Sequence, residues 1–305
     1  MRRTLSGVLL AIVVIACGDA RPAGVQPEAN GTFPVTIAAS NGAVTIAAKP
    51  AKIVSLSPTA TEILFAIGAG RQVVAVDDQS NFPATAPKTT LSGYEPNIEA
   101  IVSYQPDLVV FANDIKGLAT SLKGVSIAAL LQPAATTLDD TYKQITQLGE
   151  ATGHVAEART LVTRMRKDID TIVASATSTG ETPSYYHELD STYFSVTSRT
   201  FIGTVYSLLG LRNIADPADK QASGYPQLSP EFIIEADPDL IFLADTKCCG
   251  QSATTVAARP GWSGIAAVRS GGVIALDDDI ASRWGPRIVD LLRAVADAVR
   301  TAKAA

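Results

Sequence analysis

Two segments of the chain repeat each other without a gap, and this repeat is the feature that most constrains the fold. Residues 98–112 and 230–244 share a glutamate at the second position, a Pro-Asp-Leu sequence in the middle and an apolar run at the end. Each copy predicts a short helix, a turn at the Pro-Asp pair and then a buried strand, because short apolar runs of this kind suit the interior of a parallel sheet. The repeat therefore predicts two lobes of similar fold.

The segment between the two copies predicts one long helix. From Val155 to Ala176 apolar residues recur at steps of three and four, and charged residues fill the other side. Gly153 before the segment and Gly180 and Pro183 after it are typical helix boundaries. Such a helix is about 33 Å long, which is long enough to lie across two lobes. An ordinary surface helix of one domain is the alternative, and the repeat on either side favours a connecting helix.

Strands and helices alternate on both sides of the long helix, so the predicted fold class is α/β with a parallel sheet in each lobe. In the first lobe Asn41-Gly42 predicts a hairpin, and Thr59 is the predicted N-cap of an early helix, with Glu62 three residues later. In the second lobe residues 198–203 predict a loop that leads into a helix.

From these patterns we assign residues 33–152 to the first lobe, 153–178 to the connecting helix and 179–305 to the second lobe. We expect a substrate to bind between the lobes, because clefts form at domain interfaces and at the ends of parallel strands.

The N-terminus has the pattern of an export signal. Arg2-Arg3 precedes an apolar stretch from Leu5 to Ala16, which is shorter than the roughly 20 residues of a membrane-spanning helix. The stretch ends at Cys17 and resembles a bacterial lipobox, which implies a lipid-modified Cys17 and a membrane anchor. A plain secretory leader is the alternative. We assign residues 1–17 to the signal peptide and 18–32, which are small and polar, to a flexible tether.

Composition and motifs argue against several functions. The net charge of −5 does not suit a nucleic-acid-binding protein, which needs a basic surface. His154 and His187 have no metal-ligand spacing, and neither a Gly-x-Ser-x-Gly motif nor a phosphate-binding glycine loop occurs. Three consecutive aspartates, 277–279, point in different directions and offer no closed shell of oxygen ligands. A lipid-anchored α/β enzyme is therefore the second hypothesis, after a binding protein.

Several motifs taken in order resemble the periplasmic-binding family for cobalamin and iron chelates. They are the segment 52–62 (KIVSLSPTATE), Asn81-Phe82-Pro83, the two repeat copies and Pro286-Arg287-Ile288-Val289, and the resemblance extends from about Phe33 to the C-terminus. It implies two Rossmann-like lobes joined by one rigid helix.

The resemblance further implies the substrate-binding component of an ABC importer, exported and held in the periplasm or on the outer face of the cell membrane. Such a protein takes up a metal chelate as a monomer, needs no cofactor and passes the ligand to a permease dimer. A corrinoid such as cobalamin is the first expectation, and haem and ferric siderophores are the alternatives.

The same resemblance implies a ligand site in the loops between the lobes. The implied ligand-binding residues are Pro58, Thr59, Gln79 and Tyr94 in the first lobe and Phe201, Tyr225, Asp279, Arg283 and Trp284 in the second. Aromatic faces suit a large flat ligand, and a few polar groups fix its orientation. The sequence departs from the cobalamin-binding pattern at Gly93, where those proteins have tryptophan. For Tyr94 and Trp284, ordinary packing is the alternative role.

Glu99 and Glu231 occupy the same position in the two repeat copies. The resemblance implies that each docks onto an arginine of one permease subunit. The alternative is local: an acidic residue in the first turn of a helix is stabilised by the helix dipole, by about 1 kcal/mol at most.

Cys248 and Cys249 are adjacent in the sequence. Neighbouring Cα atoms lie about 3.8 Å apart, which is below the usual disulfide range of about 4.4–6.8 Å. A strained disulfide that braces the loop, two thiols and a metal site all remain open, although an exported protein meets oxidising conditions.

Overall fold

The computed structural model describes residues 31–176 and 182–304. The signal peptide with Cys17, nearly all of the tether and the predicted end of the connecting helix lie outside these residues. The strands are β1 (Val35–Ala39), β2 (Gly42–Ile46), β3 (Ile53–Leu56), β4 (Val73–Val76), β5 (Leu108–Phe111), β6 (Ala128–Leu131), β7 (Ser184–Glu188), β8 (Arg212–Asn213), β9 (Leu240–Leu243) and β10 (Val273–Ala275). The helices are α1 (Pro58–Ala66), α2 (Ile98–Ser103), α3 (Leu118–Gly124), α4 (Leu138–Thr152), α5 (Val155–Ala176), α6 (Phe201–Ser207), α7 (Pro230–Ala236), α8 (Thr246–Cys249), α9 (Ala253–Ala257), α10 (Ala266–Ser270), α11 (Asp278–Ala281) and α12 (Ile288–Ala304).

Each lobe is built on a four-stranded parallel sheet, and the two sheets have the same strand order. In the first lobe the order is β4-β3-β5-β6, and in the second, counted from the other edge, it is β8-β7-β9-β10. In both lobes the first strand of the sheet lies between the second and the third. The predicted α/β fold class with two similar lobes is confirmed.

The repeat occupies the same place in both lobes. One copy forms α2 and β5, and the other forms α7 and β9, the third strand of each sheet. Gln105 and Asp237, at equivalent positions in the turn, both have positive φ, 52° and 43°. The aspartate of each Pro-Asp pair then accepts hydrogen bonds at the start of the first strand: Asp107 from the backbone of Lys52 (2.9 Å) and Asp239 from the backbone of Ser184 (2.7 Å). The repeated aspartate thus fastens the third strand to the first.

The long helix α5 begins at Val155, as predicted, is described as far as Ala176 and joins the lobes. It packs against α4 of the first lobe on one side and α12 of the second lobe on the other. Its apolar stripe, including Leu161, Met165 and Ile169, is buried in one continuous core with residues of both neighbouring helices. Because this core is shared, the helix holds the lobes as a rigid unit. Within residues 31–176 and 182–304, no helix combines the length and the apolar character needed to cross a membrane.

Two local predictions are corrected by the structure, while the hairpin of β1 and β2 around Asn41-Gly42 is confirmed. The predicted N-cap Thr59 is wrong. Ser57 caps α1, because its side chain accepts from the backbone of Ala60 and Pro58 fills the first helical position, where no N–H is needed.

The second correction concerns the loop predicted at residues 198–203. Helix α6 begins at Phe201 and is capped by Thr200, whose hydroxyl accepts from the backbone of Gly203 at 3.0 Å. The helix passes so close to the preceding loop that a Cβ on Gly203 would lie 2.0 Å from the carbonyl oxygen of Thr197. Gly203 therefore lies inside the helix and not in a loop, and its lack of a side chain allows the helix to pack closely on Thr197.

Candidate functional site

The loops at the carboxyl ends of the strands carry most of the predicted ligand residues, and some of these loops meet across the lobes. Pro58 and Thr59 follow β3, Gln79 follows β4, and Asp279, Arg283 and Trp284 follow β10. Hydrogen bonds connect the segment after β10 to Glu62 of helix α1, which follows β3, and to Gln79 and Asn81 in the loop after β4. The carboxyl edges of the two sheets therefore face each other, as expected for a binding cleft in this fold class.

A buried carboxylate from the first lobe holds two arginines from the second. Glu62 accepts from Arg283 (Nη1 to Oε1, 2.8 Å) and from Arg287 (Nε to Oε2, 2.9 Å). The side chain of Glu62 is 1% exposed and that of Arg283 is 8% exposed. Sequence analysis placed Glu62 only as a helix-capping residue, because nothing local to α1 shows that its partners lie more than 200 residues further along the chain.

Arg283 donates hydrogen bonds to three groups, two of them in the first lobe. Besides Glu62, it donates to the carbonyl oxygen of Gln79 at 3.0 Å and to Asp279 at 2.8 Å. Asp279 also accepts from Asn81 of the first lobe at 3.1 Å. Arg283, Asp279 and Gln79 are thus brought together as predicted ligand residues, but they bind one another in this structure.

The ionic contacts continue into the second lobe through Lys247, whose Nζ donates to Asp277 at 2.8 Å and to Asp279 at 2.9 Å. Burial raises the pKa of Asp279, but the hydrogen bond from Lys247 and the charge of Arg283 outweigh it and hold the pKa below its usual value. We call these residues the cross-lobe charge cluster: Glu62, Asp277, Asp279, Lys247, Arg283 and Arg287. Its three carboxylates and three cations cancel.

Trp284 makes a second cross-lobe contact. Its indole Nε1 donates to Gln144 of α4 at 2.9 Å, and the ring is half-buried. The side-chain amide of Gln144 in turn donates to the carbonyl oxygen of Pro133 at 2.7 Å. The tryptophan is therefore held in a defined orientation at the junction of the lobes.

Tyr94 is an exposed aromatic ring of the first lobe, with 68% of its surface accessible. It follows Gly93, and a Cβ on Gly93 would lie 2.9 Å from both the Asp77 carboxylate and the carbonyl oxygen of Leu56. Because Leu56 ends β3, this contact puts Tyr94 beside the carboxyl edge of the first sheet. It also explains the departure from the family pattern, since no tryptophan fits at position 93 here.

Tyr225 is an exposed aromatic ring of the second lobe, with 49% of its surface accessible. The residues on either side of it, Gly224 and Pro226, accept backbone hydrogen bonds from Thr197 and Ser195 in the segment after β7. Tyr225 therefore stands beside the carboxyl edge of the second sheet.

The other aromatic and small residues differ in what they offer. Phe201 is 9% exposed and packs in the core, so its ring presents little surface to a ligand in this structure. Thr59 is buried and Pro58 is half-buried. Phe82 and Phe194 are exposed rings that were not predicted as ligand-binding residues. Phe82 lies under the Arg287 guanidinium, whose carbon is 4.3 Å from the ring centre. Phe82 could have been predicted as a candidate site residue from the sequence, because it lies in the Asn81-Phe82-Pro83 motif.

Neither histidine stands among the exposed aromatic rings. His154 is hydrogen-bonded to Gln72 at 3.0 Å near the start of α5. His187 is fully buried and pairs with the Tyr206 hydroxyl at 2.8 Å, and burial lowers its pKa to about 3. Across the part of the chain that the structure describes, no group of three or more His, Cys, Asp or Glu side chains could hold a metal ion.

Glu99 and Glu231 are exposed in the first turns of α2 and α7. Asn97 and Ser229 cap the two helices in the same way, each accepting from the backbone three residues on. A helix that leads into a parallel strand starts near the carboxyl edge of its sheet. Each lobe therefore presents one glutamate toward the rim that carries the cleft.

Cys248 and Cys249 are the last two residues of α8, the short helix after β9, and both are exposed. In the structure their sulfur atoms are bonded to each other. Beneath them Asp245 is completely buried next to Glu188, which Arg259 binds through two hydrogen bonds of 2.6 Å. Burial and then the charge of Glu188 raise the pKa of Asp245 to about 7.

Known proteins resemble this chain over almost its whole length. A model of the periplasmic binding protein family matches residues 53–280. A Bacillus subtilis (strain 168) protein described as an uncharacterized ABC transporter substrate-binding lipoprotein is 33% identical over 309 residues, covering 96% of this chain and 95% of that protein. A cobalamin-binding protein of Halobacterium salinarum is 31% identical over 312 residues, covering 95% of this chain and 83% of that protein. The crystal structure of a periplasmic vitamin B12 binding protein of Vibrio cholerae has a TM-score of 0.69 at 25% identity, covering 84% of this chain and 98% of that one.

Proposed function

The chain belongs to the periplasmic binding protein family, and from that premise we propose that it is the extracytoplasmic substrate-binding protein of an ABC importer. It captures a metal chelate, a corrinoid such as cobalamin, between its two lobes and hands it unchanged to the permease. The observation that carries the proposal is the facing of two equivalent sheet edges, each with an exposed tyrosine beside it and a charge cluster between them. Such a site buries a large ligand by its faces and orients it by a few polar groups.

The charge balance of the cleft favours a corrinoid over a strongly anionic ligand. Arg283 and Arg287 are both bound to Glu62, and Lys247 is bound to two aspartates. A ligand with several carboxylates would have to take these cations away from buried partners, which costs free energy. A chelate with little net charge needs no such exchange.

Haem and ferric siderophores are the alternative ligands for the same fold. The exposed residues Tyr94 and Tyr225 favour these iron-containing ligands, because phenolate oxygen is a ligand for ferric iron. A histidine ligand is disfavoured, because His187 is buried and His154 is engaged with Gln72.

We propose that the ligand contacts come from both lobes. Tyr94 and Tyr225 supply aromatic faces for the ligand. Trp284 and the Arg283–Asp279 pair contact the ligand where the two lobes meet, and the backbone and side chain of Gln79 border this place. Pro58 and Thr59 shape the floor near β3. Phe201 contributes by packing in the core at the start of α6, because its ring is almost wholly buried.

The remaining partners follow from the same proposal. Glu99 and Glu231 dock the two lobes onto a permease dimer, and Cys17 carries a lipid that anchors a monomeric protein outside the cell membrane. The protein performs no chemistry on its ligand. The competing class, a lipid-anchored α/β enzyme, predicts a product instead of an unaltered bound ligand.

Titration of the protein with cyanocobalamin, haemin and a ferric hydroxamate tests the proposal. We expect cyanocobalamin to quench the emission of Trp284 and to raise the melting temperature, since a ligand that binds only the folded state stabilises it. The Tyr225→Ala variant should bind about tenfold more weakly, because it loses an aromatic anchor. Trp284→Phe, which retains the buried Trp262, serves as the control that assigns the quench.

Binding of haemin or the hydroxamate in place of cyanocobalamin would select the alternative ligands. If none of the three changes the emission or the melting temperature, the proposed function is wrong. Recovery of a chemically altered chelate would favour the enzyme.

A further inference from the structure

The Cys248–Cys249 pair lies at the carboxyl edge of the second sheet. It directly follows β9, which lies between β10 and β7 in the sheet order. The loop after β10 carries Arg283, and the segment after β7 is bonded to the residues beside Tyr225. Neighbouring strands are about 4.8 Å apart, so the pair stands between the charged part and the aromatic part of the cleft.

The pair is also fixed in position. Asp278 accepts hydrogen bonds from the backbone of Thr246 (2.9 Å), Lys247 (2.9 Å) and Cys248 (3.0 Å). The side chain of Lys247, next to the pair, is held by Asp277 and Asp279 of the cross-lobe charge cluster. The two sulfur atoms are therefore presented from a rigid loop, which reduces the entropy lost when a ligand packs on them.

The equivalent loop of the first lobe is built differently. Counted onward from the repeat without a gap, Cys248 and Cys249 correspond to Lys116 and Gly117, which follow β5. The first lobe thus has a charged side chain and a glycine where the second lobe exposes two sulfur atoms. A disulfide has no charge and is polarisable, so its exposure on a rigid loop suits contact with an apolar, conjugated surface.

We propose that the Cys248–Cys249 disulfide is a ligand-contact surface in the middle of the second lobe's side of the cleft. A flat, apolar part of the bound chelate packs on the sulfur atoms, between the polar contacts near Arg283 and the ring of Tyr225. The inference rests on the proposed function and extends it by naming a contact outside the residues that the family resemblance implies. No bond is made or broken, since the disulfide acts only through its surface.

The test compares cyanocobalamin affinity in the wild type and in the Cys248→Ala/Cys249→Ala double variant. We expect affinity to fall about threefold to tenfold, the range of sulfur–aromatic contacts, with an unchanged melting temperature of the ligand-free protein. Thr171→Ala, which alters an exposed hydroxyl on α5, is the control and should bind as the wild type does.

A second measurement does not depend on how well the double variant folds. A water-soluble phosphine reduces the wild-type disulfide, and iodoacetamide followed by mass spectrometry reports how fast the thiols appear. Bound cyanocobalamin should slow their appearance at Cys248 and Cys249 at least fivefold.

The outcomes separate the inference from its premise. If the wild type binds cyanocobalamin but the double variant binds it equally well, or if the ligand leaves the rate of reduction unchanged, the contact surface is wrong and the proposed function stands. A wild type that binds none of the chelates overturns the proposed function, and this inference with it.

Discussion

The two lobes share one strand order and one repeated helix–strand unit, yet they supply different groups to the cleft. The first lobe contributes the buried carboxylate Glu62 and exposed rings at Tyr94 and Phe82. The second contributes the cations Arg283 and Arg287, further aromatic rings and the exposed sulfur pair. The lobes share their strands and the Pro-Asp turn, and they differ in the segments that follow the strands, among them helix α1 with Glu62. The comparison teaches that the duplicated scaffold sets the shape of the cleft, whereas the segments after the strands supply the groups that face it.

The feature that the lobes share most closely on their surface is the glutamate in the first turn of α2 and α7, and its removal should have the largest effect. We expect the Glu99→Lys/Glu231→Lys double variant to abolish ligand uptake by vesicles that contain the importer, because reversed charges repel the arginines expected on the permease. Affinity for the isolated ligand should not change. The measurements are uptake of labelled ligand and equilibrium binding.

The matched control carries the same change of charge at other exposed acids, Glu95→Lys and Glu235→Lys, again one in each lobe. Its uptake should stay near the wild-type rate. Uptake that survives in the first variant would show that the symmetric glutamates have only a local role at their helices.

The lobes differ most in the charges that meet between them, and Glu62 is the group on which these contacts depend. Glu62→Gln removes the carboxylate that pairs with Arg287 and leaves Arg283 only Asp279, in a largely buried position. Breaking one partner of such a pair costs about 3–5 kcal/mol, so the free energy of unfolding in urea should fall by that amount. An unchanged unfolding free energy would mean that the arginines find other partners and that the cluster does not hold the lobes together.

An exposed ion pair supplies the comparison. Asp139 and Arg166 are 2.9 Å apart and both are exposed, and Asp139→Asn should cost no more than about 1 kcal/mol. The contrast between the two variants measures burial, because each change removes one carboxylate charge.

The repeated unit, the hairpin and the long helix α5 were predictable from the sequence because they depend on local patterns. An apolar stripe or a Pro-Asp-Leu turn is visible within about 20 residues. The role of Glu62 was not predictable in this way, since its partners are 221 and 225 residues away. The N-cap of α1 was misassigned by two residues because Ser57 and Thr59 are both good capping residues, and only the preference of Pro58 for the first helical position decides between them.

The candidate site was predictable only in part. Arg283, Asp279 and Gln79 do come together, but the sequence could not show that they would be engaged with one another. Phe201 was expected in a loop, although its ring faces the core, because the start of α6 depends on how closely Gly203 packs on the preceding loop. The sequence also could not show why position 93 holds a glycine. The space that a side chain would need there is filled by Leu56 and Asp77.

The last comparison is between two buried carboxyl groups, one in each lobe. Burial raises the pKa of Asp77, after β4, to about 6, and burial together with the charge of Glu188 raises the pKa of Asp245, after β9, to about 7. An unfolded chain releases these protons near 3.8. The folded protein therefore binds more protons than the unfolded chain above pH 4, and its stability falls as the pH rises through this window. The fall ends near pH 6 for Asp77 and near pH 7 for Asp245.

Asparagine at either position cannot titrate, so the unfolding free energy of each variant should rise relative to the wild type between pH 4 and the pKa of the residue replaced. The full gain is about 3 kcal/mol for Asp77→Asn and about 4 kcal/mol for Asp245→Asn. For Asp77→Asn it should level off about one pH unit earlier than for Asp245→Asn. Urea unfolding at several pH values from 4.5 to 8 measures both curves, and each serves as the control for the other. Curves that stay parallel to the wild type at all pH values would mean that neither carboxyl holds its proton in the folded protein. Curves that level off at the same pH would mean that the charge of Glu188 does not raise the pKa of Asp245 beyond the effect of burial. The pKa values of the two buried carboxyl groups would then have the same cause in both lobes.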